Sequence, residues 1–469
     1  MADAEFCDCL AASLGLLTRD VQATGLFKPF KLTLSPSPLP ASLLEEICCL
    51  QPHFNALVDA ISRDDGFLQD TLKRTFEADD FSRRLWDMYQ KCLHLKNKPA
   101  VLSVLRNDYM MHCEGEKGQQ SLGLKQVEIN TIASAYLATA PDVVKFHRVT
   151  TAGSKGVQPH PCDSLNAMAE AFASAHRCYG KDSAVVLTVI LNHESNLLDQ
   201  RKLDAVLWER YQIRGIRLTL TQLYKMAKHG PAQELFVNGE EVSIVYYRSG
   251  YTDKHYYSPD DAEWAARLVM ESSKAICIPS VGHHLAGTKK VQQVLASPGV
   301  LERFVDETIA KRMRAVFTGL YSLDLTPEGD KAAALALQDP RSFVLKPQKE
   351  GGGNNYFGEK MEAILRDLSG KKDREQYILM DLIRTPTHRV EVLIDGAVVK
   401  VEVVPEYSVF GIYLRSGEKV LVSSAVPHLV RSKTVGTTEG GVSNGTGFLD
   451  SLRTTSFEEY KAAVSLPQH

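Results

Sequence analysis

One stretch of sequence decides the fold, and it reads Phe343-Val344-Leu345-Lys346-Pro347-Gln348-Lys349-Glu350-Gly351-Gly352-Gly353-Asn354-Asn355. Its apolar start is typical of a buried strand, and three successive glycines lose too much conformational entropy to belong to a helix. Their backbone N–H groups can instead approach a polyphosphate closely, and Lys346 adds a point charge. The glycine and lysine spacing of a P-loop is absent, so a P-loop fold is not supported. The sequence predicts a strand followed by a phosphate-binding loop, with a flexible surface loop as the alternative.

A second candidate site lies upstream, in the run Val127-Glu128-Ile129-Asn130. The period of two in a strand puts Glu128 and Asn130 on one face and the two apolar residues on the other. Carboxylate and amide oxygens are the hard ligands that Mg²⁺ takes together with water and substrate phosphate. Glu350, beside the three glycines, offers a third oxygen ligand. These residues predict a magnesium site, and the alternative is a solvated strand face.

Two polar clusters follow apolar runs in the middle of the chain. They are Asn192-His193-Glu194-Ser195-Asn196 and Arg248-Ser249-Gly250-Tyr251. Because ligands bind at the carboxyl ends of strands in open α/β sheets, we expect both clusters to line one crevice. Arg248 and Arg106, each at the end of a predicted strand, are suited to holding substrate carboxylates through two parallel hydrogen bonds. Ordinary loop polarity is the alternative interpretation of these residues.

The N-terminal part of the chain is predicted to be helical. Apolar residues recur at helical spacing over 43–95, and polar breaks near Arg63 and Asp79 predict the boundaries between helices. The prolines of 35–40 cannot belong to a helix, because each lacks an N–H and restricts the residue before it. We therefore expect an extended connector that leads into a helical layer.

The middle and C-terminal parts carry strand patterns, which together indicate an α/β fold. An apolar run at 184–191, an amphipathic stretch at 197–211 and alternation at 215–221 predict a strand–helix–strand unit of a parallel sheet. Asn238-Gly239 predicts the tight turn of a β-hairpin, because both turn positions need positive φ. Asp395-Gly396 lies within a longer alternating run and predicts a second antiparallel hairpin.

Length and composition exclude several classes of protein. The chain has 469 residues, and its 54 Lys and Arg nearly balance its 57 Asp and Glu, for a net charge of -3. This balance supplies no field over the whole molecule that would hold nucleic acid or an anionic membrane. No apolar run approaches the roughly 20 residues of a membrane span. The nine cysteines form no CxxC pair, which favours reduced thiols in a cytosol-like compartment.

Several long motifs identify a family. They are Arg106-Asn107-Asp108-Tyr109-Met110, Leu124-Lys125-Gln126-Val127-Glu128-Ile129-Asn130-Thr131, Leu285-Ala286-Gly287-Thr288-Lys289-Lys290-Val291-Gln292-Gln293 and the segment 343–355. Over about 14–450 the chain resembles the eukaryotic glutathione synthetases, which are ATP-grasp ligases that join γ-glutamylcysteine to glycine. The resemblance implies an ATP-grasp fold with an inserted parallel-sheet substrate domain and an antiparallel lid. The implied divisions are 1–183, the substrate domain 184–288, and 289–469 with the lid at about 346–404 and a glycine-rich loop at about 434–447.

The resemblance also implies roles for individual residues. Mg²⁺ would be held by Glu128, Asn130 and Glu350, and the reaction would be assisted by Lys289, Lys346 and Arg431. ATP, the co-substrate, would be bound by Glu128, Lys289, Lys346, Glu350, Gly351, Gly352, Gly353, Asn354, Asn355, Phe357, Met380, Asp381, Leu382, Ile383, Glu406, Lys433 and Glu439. The peptide donor and the acceptor would contact Arg106, Ile132, Ala133, Ser134, Ala135, Glu194, Ser195, Asn196, Gln200, Arg248, Ser249, Gly250, Tyr251, Arg431, Val442 and Ser443.

Departures from the family pattern cluster around the peptide substrates. Ala133-Ser134-Ala135 stands where the family has Ser-Ala-Ser, which removes two hydroxyls expected to face the donor, and Ser249 replaces an aspartate. Each lost hydrogen bond is expected to cost about 0.5–1.5 kcal/mol. Ser443-Asn444 stands where many members have two alanines, which predicts an acceptor choice shifted away from glycine. Phe357 stands where the family usually has a tyrosine, so the aromatic ring is kept and the hydroxyl is lost.

Two functions follow from the resemblance. The first is ATP- and Mg²⁺-dependent ligation of γ-glutamylcysteine to glycine through an acyl phosphate, which gives glutathione. The alternative is a diverged relative with altered specificity or weak activity, retained as an ATP-binding or regulatory protein. The resemblance further implies a homodimer with small-molecule substrates and no nucleic-acid or membrane partner. We expect a cytoplasmic location, with secretion after removal of an N-terminal presequence as the alternative.

Overall fold

The computed structural model describes residues 3–20, 25–93, 98–115, 121–154, 156–438, 440–442 and 445–467, and it has the α/β fold that the sequence predicts. Its helices are α1 (Ala4–Ser13), α2 (Ala41–Ser62), α3 (Asp65–Ala78), α4 (Asp80–Cys92), α5 (Ala140–Thr150), α6 (Ser164–Tyr179), α7 (Leu197–Tyr211), α8 (Leu220–Met226), α9 (Ala262–Ser272), α10 (Val281–Ala286), α11 (Lys289–Leu295), α12 (Glu307–Val316), α13 (Pro327–Gln338), α14 (Gly358–Asp367) and α15 (Phe457–Ala463), with short 3₁₀ helices at Asp253–His255, Leu301–Arg303 and Lys372–Gln376. Its strands are β1 (Leu17–Arg19), β2 (Phe27–Pro29), β3 (Leu32–Thr33), β4 (Ser37–Pro40), β5 (Val101–Glu114), β6 (Ser121–Asn130), β7 (Val185–Val189), β8 (Gly215–Leu218), β9 (Ala227–His229), β10 (Leu235–Val237), β11 (Glu240–Tyr247), β12 (Ile276–Ile278), β13 (Leu320–Ser322), β14 (Phe343–Pro347), β15 (Tyr356–Phe357), β16 (Tyr377–Asp381), β17 (His388–Ile394), β18 (Ala397–Ser416), β19 (Lys419–Thr434), β20 (Gly447–Asp450) and β21 (Leu452–Thr455).

The predicted N-terminal helical layer is confirmed as α2, α3 and α4. The boundary residues are helix caps, since the Asp64 carboxylate accepts the Phe67 N–H and the Asp79 carboxylate accepts the Ser82 N–H. The proline-rich connector is extended and forms β4 directly before α2. Among the described helices, none combines the length and the apolar character needed to cross a membrane.

The largest sheet has seven strands in the order β17-β3-β20-β19-β18-β5-β6. The long strands β18 and β19 pair antiparallel, and β5 joins them through an antiparallel register that sets Asp108 opposite Ser408. The predicted hairpin is confirmed between β17 and β18, and its turn residues Asp395 and Gly396 have φ of 47° and 77°. This sheet supplies one wall of the candidate site.

The predicted parallel sheet is confirmed by β7, β8, β11 and β12, which run parallel within a six-stranded sheet. The predicted hairpin at Asn238-Gly239 joins β10 to β11. The strand predicted at 215–221 is too long, since β8 ends at Leu218 and α8 begins at Leu220. The reason is local, because Thr219 and Gln222 form a capping box that starts the helix.

The glycine-rich segment follows β14, as predicted, but β14 belongs to a separate four-stranded sheet ordered β13-β16-β14-β15. Helices α13 and α14 pack on this sheet and bury Ala336, Met361 and Leu365 against it. The segment predicted as a lid, 346–404, is thus divided between the four-stranded sheet and the hairpin of the seven-stranded sheet.

A connector of six residues, 382–387, joins the four-stranded sheet to the seven-stranded sheet. Its middle is tied to β5, because the Cys113 N–H donates to the Arg384 carbonyl at 2.8 Å and the Arg384 N–H donates to His112 Nδ1 at 3.2 Å. The connector therefore keeps the two sheets adjacent while it crosses between them.

Among the described residues six histidines are buried, and burial lowers the pKa of each and favours the neutral state: His147, His176, His283, His284, His388 and His428. Burial lowers the pKa of His283 to about 4 and that of His428 to about 3. Burial likewise lowers the pKa of His147 and takes the pKa of His284 well below its usual range. Each must gain a proton before or during unfolding at acidic pH.

We expect the free energy of unfolding to fall as the pH is lowered from about 7.5 to about 5. The depressed pKa values mean that the unfolded chain binds more protons in this range, so the contribution is complete above about pH 6.5 and is lost below it. His283 and His428 should each contribute roughly 2 kcal/mol of the loss at about pH 5, and the other buried histidines should contribute in the same direction. Urea unfolding across this range measures the slope.

Two variants control this experiment. His428→Gln should reduce the dependence of the free energy of unfolding on pH by the contribution of one histidine. His229→Gln, at an exposed position, should leave that dependence unchanged. A free energy of unfolding that does not vary across this pH range would contradict the assignment.

Candidate active site

A cavity of about 730 Å³ lies where the three larger sheets approach one another. Its walls come from the seven-stranded sheet, from the loops after β6, β7 and β11, and from the glycine-rich segment after β14. The residues predicted from the sequence that line it are Arg106, Glu128, Asn130, Ile132, Ala133, Ser134, Ala135, Glu194, Ser195, Asn196, Arg248, Tyr251, Lys289, Lys346, Glu350, Gly351, Gly352, Asn354, Asn355, Phe357, Met380, Asp381, Leu382, Ile383, Glu406, Arg431, Lys433 and Val442.

Four predicted residues do not line this cavity: Gln200, Ser249, Gly250 and Gly353. The Gln200 side-chain oxygen accepts a hydrogen bond from the Arg217 guanidinium, and the Gly250 carbonyl accepts hydrogen bonds from the Tyr256 hydroxyl and the buried Arg267 guanidinium. Both residues thus support neighbouring parts of the site from outside. Glu439 and Ser443, which were also predicted, lie outside the described residues, as does Asn444.

At one end of the cavity, Lys289 lies between two carboxylates. Its Nζ is 2.8 Å from Glu350 Oε1 and 3.3 Å from Glu128 Oε2. Burial alone would lower the pKa of Lys289, but the two carboxylates outweigh it and raise that pKa above its usual value. Burial would raise the pKa of Glu128, yet the charges of Lys289 and Lys346 hold it well below its usual range. The cluster is therefore a fixed arrangement of opposite charges.

Lys346, at the end of β14 and four residues before Glu350, lines the same end. Its Nζ donates to the Val127 carbonyl at 2.8 Å, and burial lowers its pKa. Burial also raises the pKa of Glu350, more than the Lys289 charge lowers it. Two lysines and a run of backbone N–H groups at one end of a cavity are the elements of a polyphosphate site.

The residues predicted to hold a metal fit a divalent cation. The Lys289 ammonium occupies the space between Glu128 and Glu350, which shows that both carboxylates reach one positive centre. The Asn130 Nδ2 donates to Asp108 at 2.8 Å, which leaves Oδ1 as the atom that a cation would bind. Within the described residues there is no cluster of three or more His, Cys, Asp or Glu side chains placed to hold a metal, so two carboxylates and an amide are the donor set on offer here.

Beside Glu128 and Asn130 the cavity wall continues into an arginine-rich end, which has buried polar atoms without a partner among the described residues. These atoms are Ser134 Oγ, Asn196 Oδ1, Arg248 Nε and Arg431 Nε. Leaving such an atom unpaired costs about 1–3 kcal/mol. Arg248 donates through Nη1 to the Ser134 carbonyl at 2.7 Å, which fixes the loop that carries Ala133 and Ala135. A polar ligand at this end would satisfy several of these groups at once.

Sequence reasoning missed some residues of the site. His255 lines the cavity, accepts the Gly250 N–H through Nδ1 at 3.0 Å, and has its pKa lowered to about 4 by burial, so it is neutral. Asp108 lies behind the wall and binds Arg106 and Arg431. Strand alternation puts Arg106 and Asp108 on one face, and that signal was available in the sequence. No pattern in the sequence pointed to His255.

Known proteins resemble this chain along nearly its whole length. The family model described as eukaryotic glutathione synthase, ATP binding domain, matches residues 8–453. Glutathione synthetase of Mus musculus is 39% identical over 457 residues, which cover 94% of each chain. Glutathione synthetase of Dictyostelium discoideum is 36% identical over 89% of this chain and 90% of its own. A chloroplastic glutathione synthetase of Solanum lycopersicum is 37% identical over 90% of this chain and 77% of its own.

A solved structure supports the fold. The glutathione synthetase-like effector of Globodera pallida, in its apo form, matches with a TM-score of 0.76 at 23% identity, over 97% of this chain and 96% of that one. The likeness concerns the fold alone, and it extends over both chains almost completely. Together with the cavity and its charged ends, these matches lead to one conclusion: the chain belongs to the eukaryotic glutathione synthase family.

Proposed function

We propose that this chain is a carbon–nitrogen ligase that uses ATP to join γ-glutamylcysteine to glycine. One observation carries the proposal: a single cavity has a lysine- and glycine-rich end suited to a triphosphate and an arginine-rich end suited to a peptide with free carboxylates. The two ends open into each other, so a donor carboxylate can meet a terminal phosphate. The alternative of a diverged binding protein is not favoured, because relatives from animals, slime mould and plants are named as synthetases.

The proposed reaction has two steps. A carboxylate oxygen of the donor attacks the γ-phosphorus of ATP, ADP leaves, and an acyl phosphate forms. The amine of the acceptor then attacks the acyl carbon, phosphate leaves, the amine loses a proton, and an amide results. Lys289 and Lys346 would hold phosphate oxygens, while Arg106 and Arg431 would hold the donor. The glycine-rich segments would exclude water, which hydrolyses acyl phosphates.

Glu128, Asn130 and Glu350 would hold Mg²⁺, and the ion would offset part of the charge of the triphosphate. The fit of these residues to a cation supports this part of the proposal. A homodimer stays a prediction from the resemblance, and a cytoplasmic location stays a prediction from the cysteine pattern.

Phosphate release tests the proposed function. The protein is incubated with ATP, Mg²⁺ and γ-glutamylcysteine, with and without glycine, and released phosphate is measured over time. We expect robust release only when both the donor and glycine are present. Phosphate release that does not depend on the donor and the acceptor would count against a synthetase. The absence of phosphate release despite measurable ATP binding would do the same.

The phosphate end can be tested by removing one lysine. Lys289→Gln should weaken ATP binding by about tenfold or more, because it removes a charged donor and leaves Glu128 and Glu350 to repel the triphosphate. Calorimetry measures the affinity. The matched control is Lys290→Gln, since Lys290 is also buried but pairs with Asp324 outside the cavity. Equal affinities in the two variants would contradict the assignment.

The metal set can be tested through Glu350. Glu350→Gln keeps the side-chain volume but removes the charge, and we expect the Mg²⁺ concentration for half-maximal turnover to rise by about tenfold or more. Glu359→Gln, an exposed position on α14, is the control and should leave the Mg²⁺ dependence unchanged. An unchanged Mg²⁺ dependence in Glu350→Gln would sink the assignment.

A further inference from the structure

The Asp108 carboxylate lies at the centre of the arginine-rich end without lining the cavity itself. It is 0% exposed and carried by β5. Arg106 donates to it through Nε and Nη2, each at 2.8 Å, in the two-point geometry that guanidinium and carboxylate favour. Arg431, from β19, donates to its Oδ2 through Nη2 at 2.8 Å. One carboxylate therefore holds both arginines that face the cavity from the seven-stranded sheet.

Two further donors complete the surroundings of Asp108. The Ser408 hydroxyl donates to Oδ1 at 2.6 Å, and the Asn130 amide donates to Oδ2 at 2.8 Å. Each carboxylate oxygen thus has at least two donors, and neither is left to bind a ligand. Any effect of Asp108 on substrates must pass through the side chains that it holds.

The sheet register explains this arrangement. Asp108 stands opposite Ser408 on β18 and opposite Glu128 on β6, while Arg106 stands opposite Asn130. Alternation puts Arg106 and Asp108 on the same face of β5. The contacts are consequently set by rigid paired strands, which hold a side chain more precisely than loops do.

The two arginines keep donor groups that Asp108 does not use. Arg106 binds it through Nε and Nη2, and its Nη1 has no hydrogen-bond partner among the described residues. Arg431 shares Nη2 between Asp108 and Glu406, and its Nε is buried and unpaired there. A carboxylate arriving from the cavity would meet guanidinium groups already fixed in orientation.

We propose that Asp108 is a positioning residue that holds Arg106 and Arg431 in the geometry that binds the carboxylates of the peptide donor. The proposal rests on the proposed function, because it assigns the donor to this end of the cavity. Two guanidinium groups this close repel each other, and a long side chain freed from its partner regains rotamer freedom. Loss of the Asp108 charge should therefore weaken binding of the donor more than binding of the nucleotide.

The charge state of Asp108 agrees with this role. Burial would raise the pKa of its carboxyl, but the charges of Arg106 and Arg431 outweigh burial and hold that pKa below its usual value. The group is therefore ionised at neutral pH and serves as a permanent acceptor.

Asp108→Asn is the first test, with calorimetry of γ-glutamylcysteine binding and, separately, of ATP binding without added metal. We expect the dissociation constant for the dipeptide to rise by about tenfold or more, and that for ATP to change by less than about threefold. Asp59→Asn is the matched control, because Asp59 is also buried (1% exposed) and accepts from Arg415 Nε at 3.0 and 2.9 Å, far from the cavity lining. Asp59→Asn should lower thermal stability, but it should not weaken dipeptide binding more than ATP binding.

A double-mutant cycle separates positioning from general support. If Asp108 acts through Arg106, the effect of Asp108→Asn on dipeptide affinity is smaller in an Arg106→Gln background than in the wild type. Fully additive effects, or equal losses for dipeptide and ATP, would overturn the proposal. Should Asp108→Asn fail to fold, Ser408→Ala removes one donor to the same carboxylate. It should then weaken dipeptide binding by about threefold or more with ATP affinity unchanged, and no change would overturn the proposal.

The outcomes distinguish this inference from the function on which it rests. A wild-type protein that does not bind γ-glutamylcysteine refutes both. A wild-type protein that binds and ligates the dipeptide, beside an Asp108→Asn variant with unchanged dipeptide affinity, refutes only the positioning role.

Discussion

The ion pairs of Lys289 bring three separate parts of the chain to one point. Lys289 opens α11, Glu128 lies on β6, and Glu350 begins the glycine-rich segment after β14. Removing one member of a buried ion pair commonly costs about 3–5 kcal/mol, because the other charge stays behind without a partner. The lysine thus joins the seven-stranded and four-stranded sheets by a contact that lies inside the cavity. The stability of the assembly and the chemistry of the site depend on the same atoms.

The antiparallel strands of the large sheet supply most of the precision. Arg106, Glu128, Glu406 and Arg431 come from four neighbouring strands, so their separations are set by backbone hydrogen bonds. The middle sheet contributes differently, through the loops after β7 and β11, where Glu194 and Arg248 reach the cavity. Paired strands thus position the charged groups of the seven-stranded sheet, and loops carry the groups that the middle sheet contributes to the cavity.

Local features of the fold could be predicted from the sequence, and features that depend on distant pairing could not. Helix boundaries at Asp64 and Asp79 and the turn at Asn238-Gly239 follow from side chains that act within a few residues. Glu128 and Asn130 were placed on one strand face by alternation alone. The division of 346–404 between two sheets depends on which strands pair. The pairing partner of a strand cannot be identified from one sequence alone. The importance of Asp108 was hidden for a related reason, because three of its five donors come from other strands.

The connector 382–387 has a consequence for how the protein moves. The same residues that join the two sheets also form part of the cavity wall, through Leu382, Ile383, Thr385 and Thr387. A change in the angle between the sheets would have to be accommodated partly in this short segment, and its attachment to β5 through Arg384 restricts where it can bend. Rotation of the small sheet would therefore move this part of the cavity wall. The width of the cavity and the angle between the two sheets would change together.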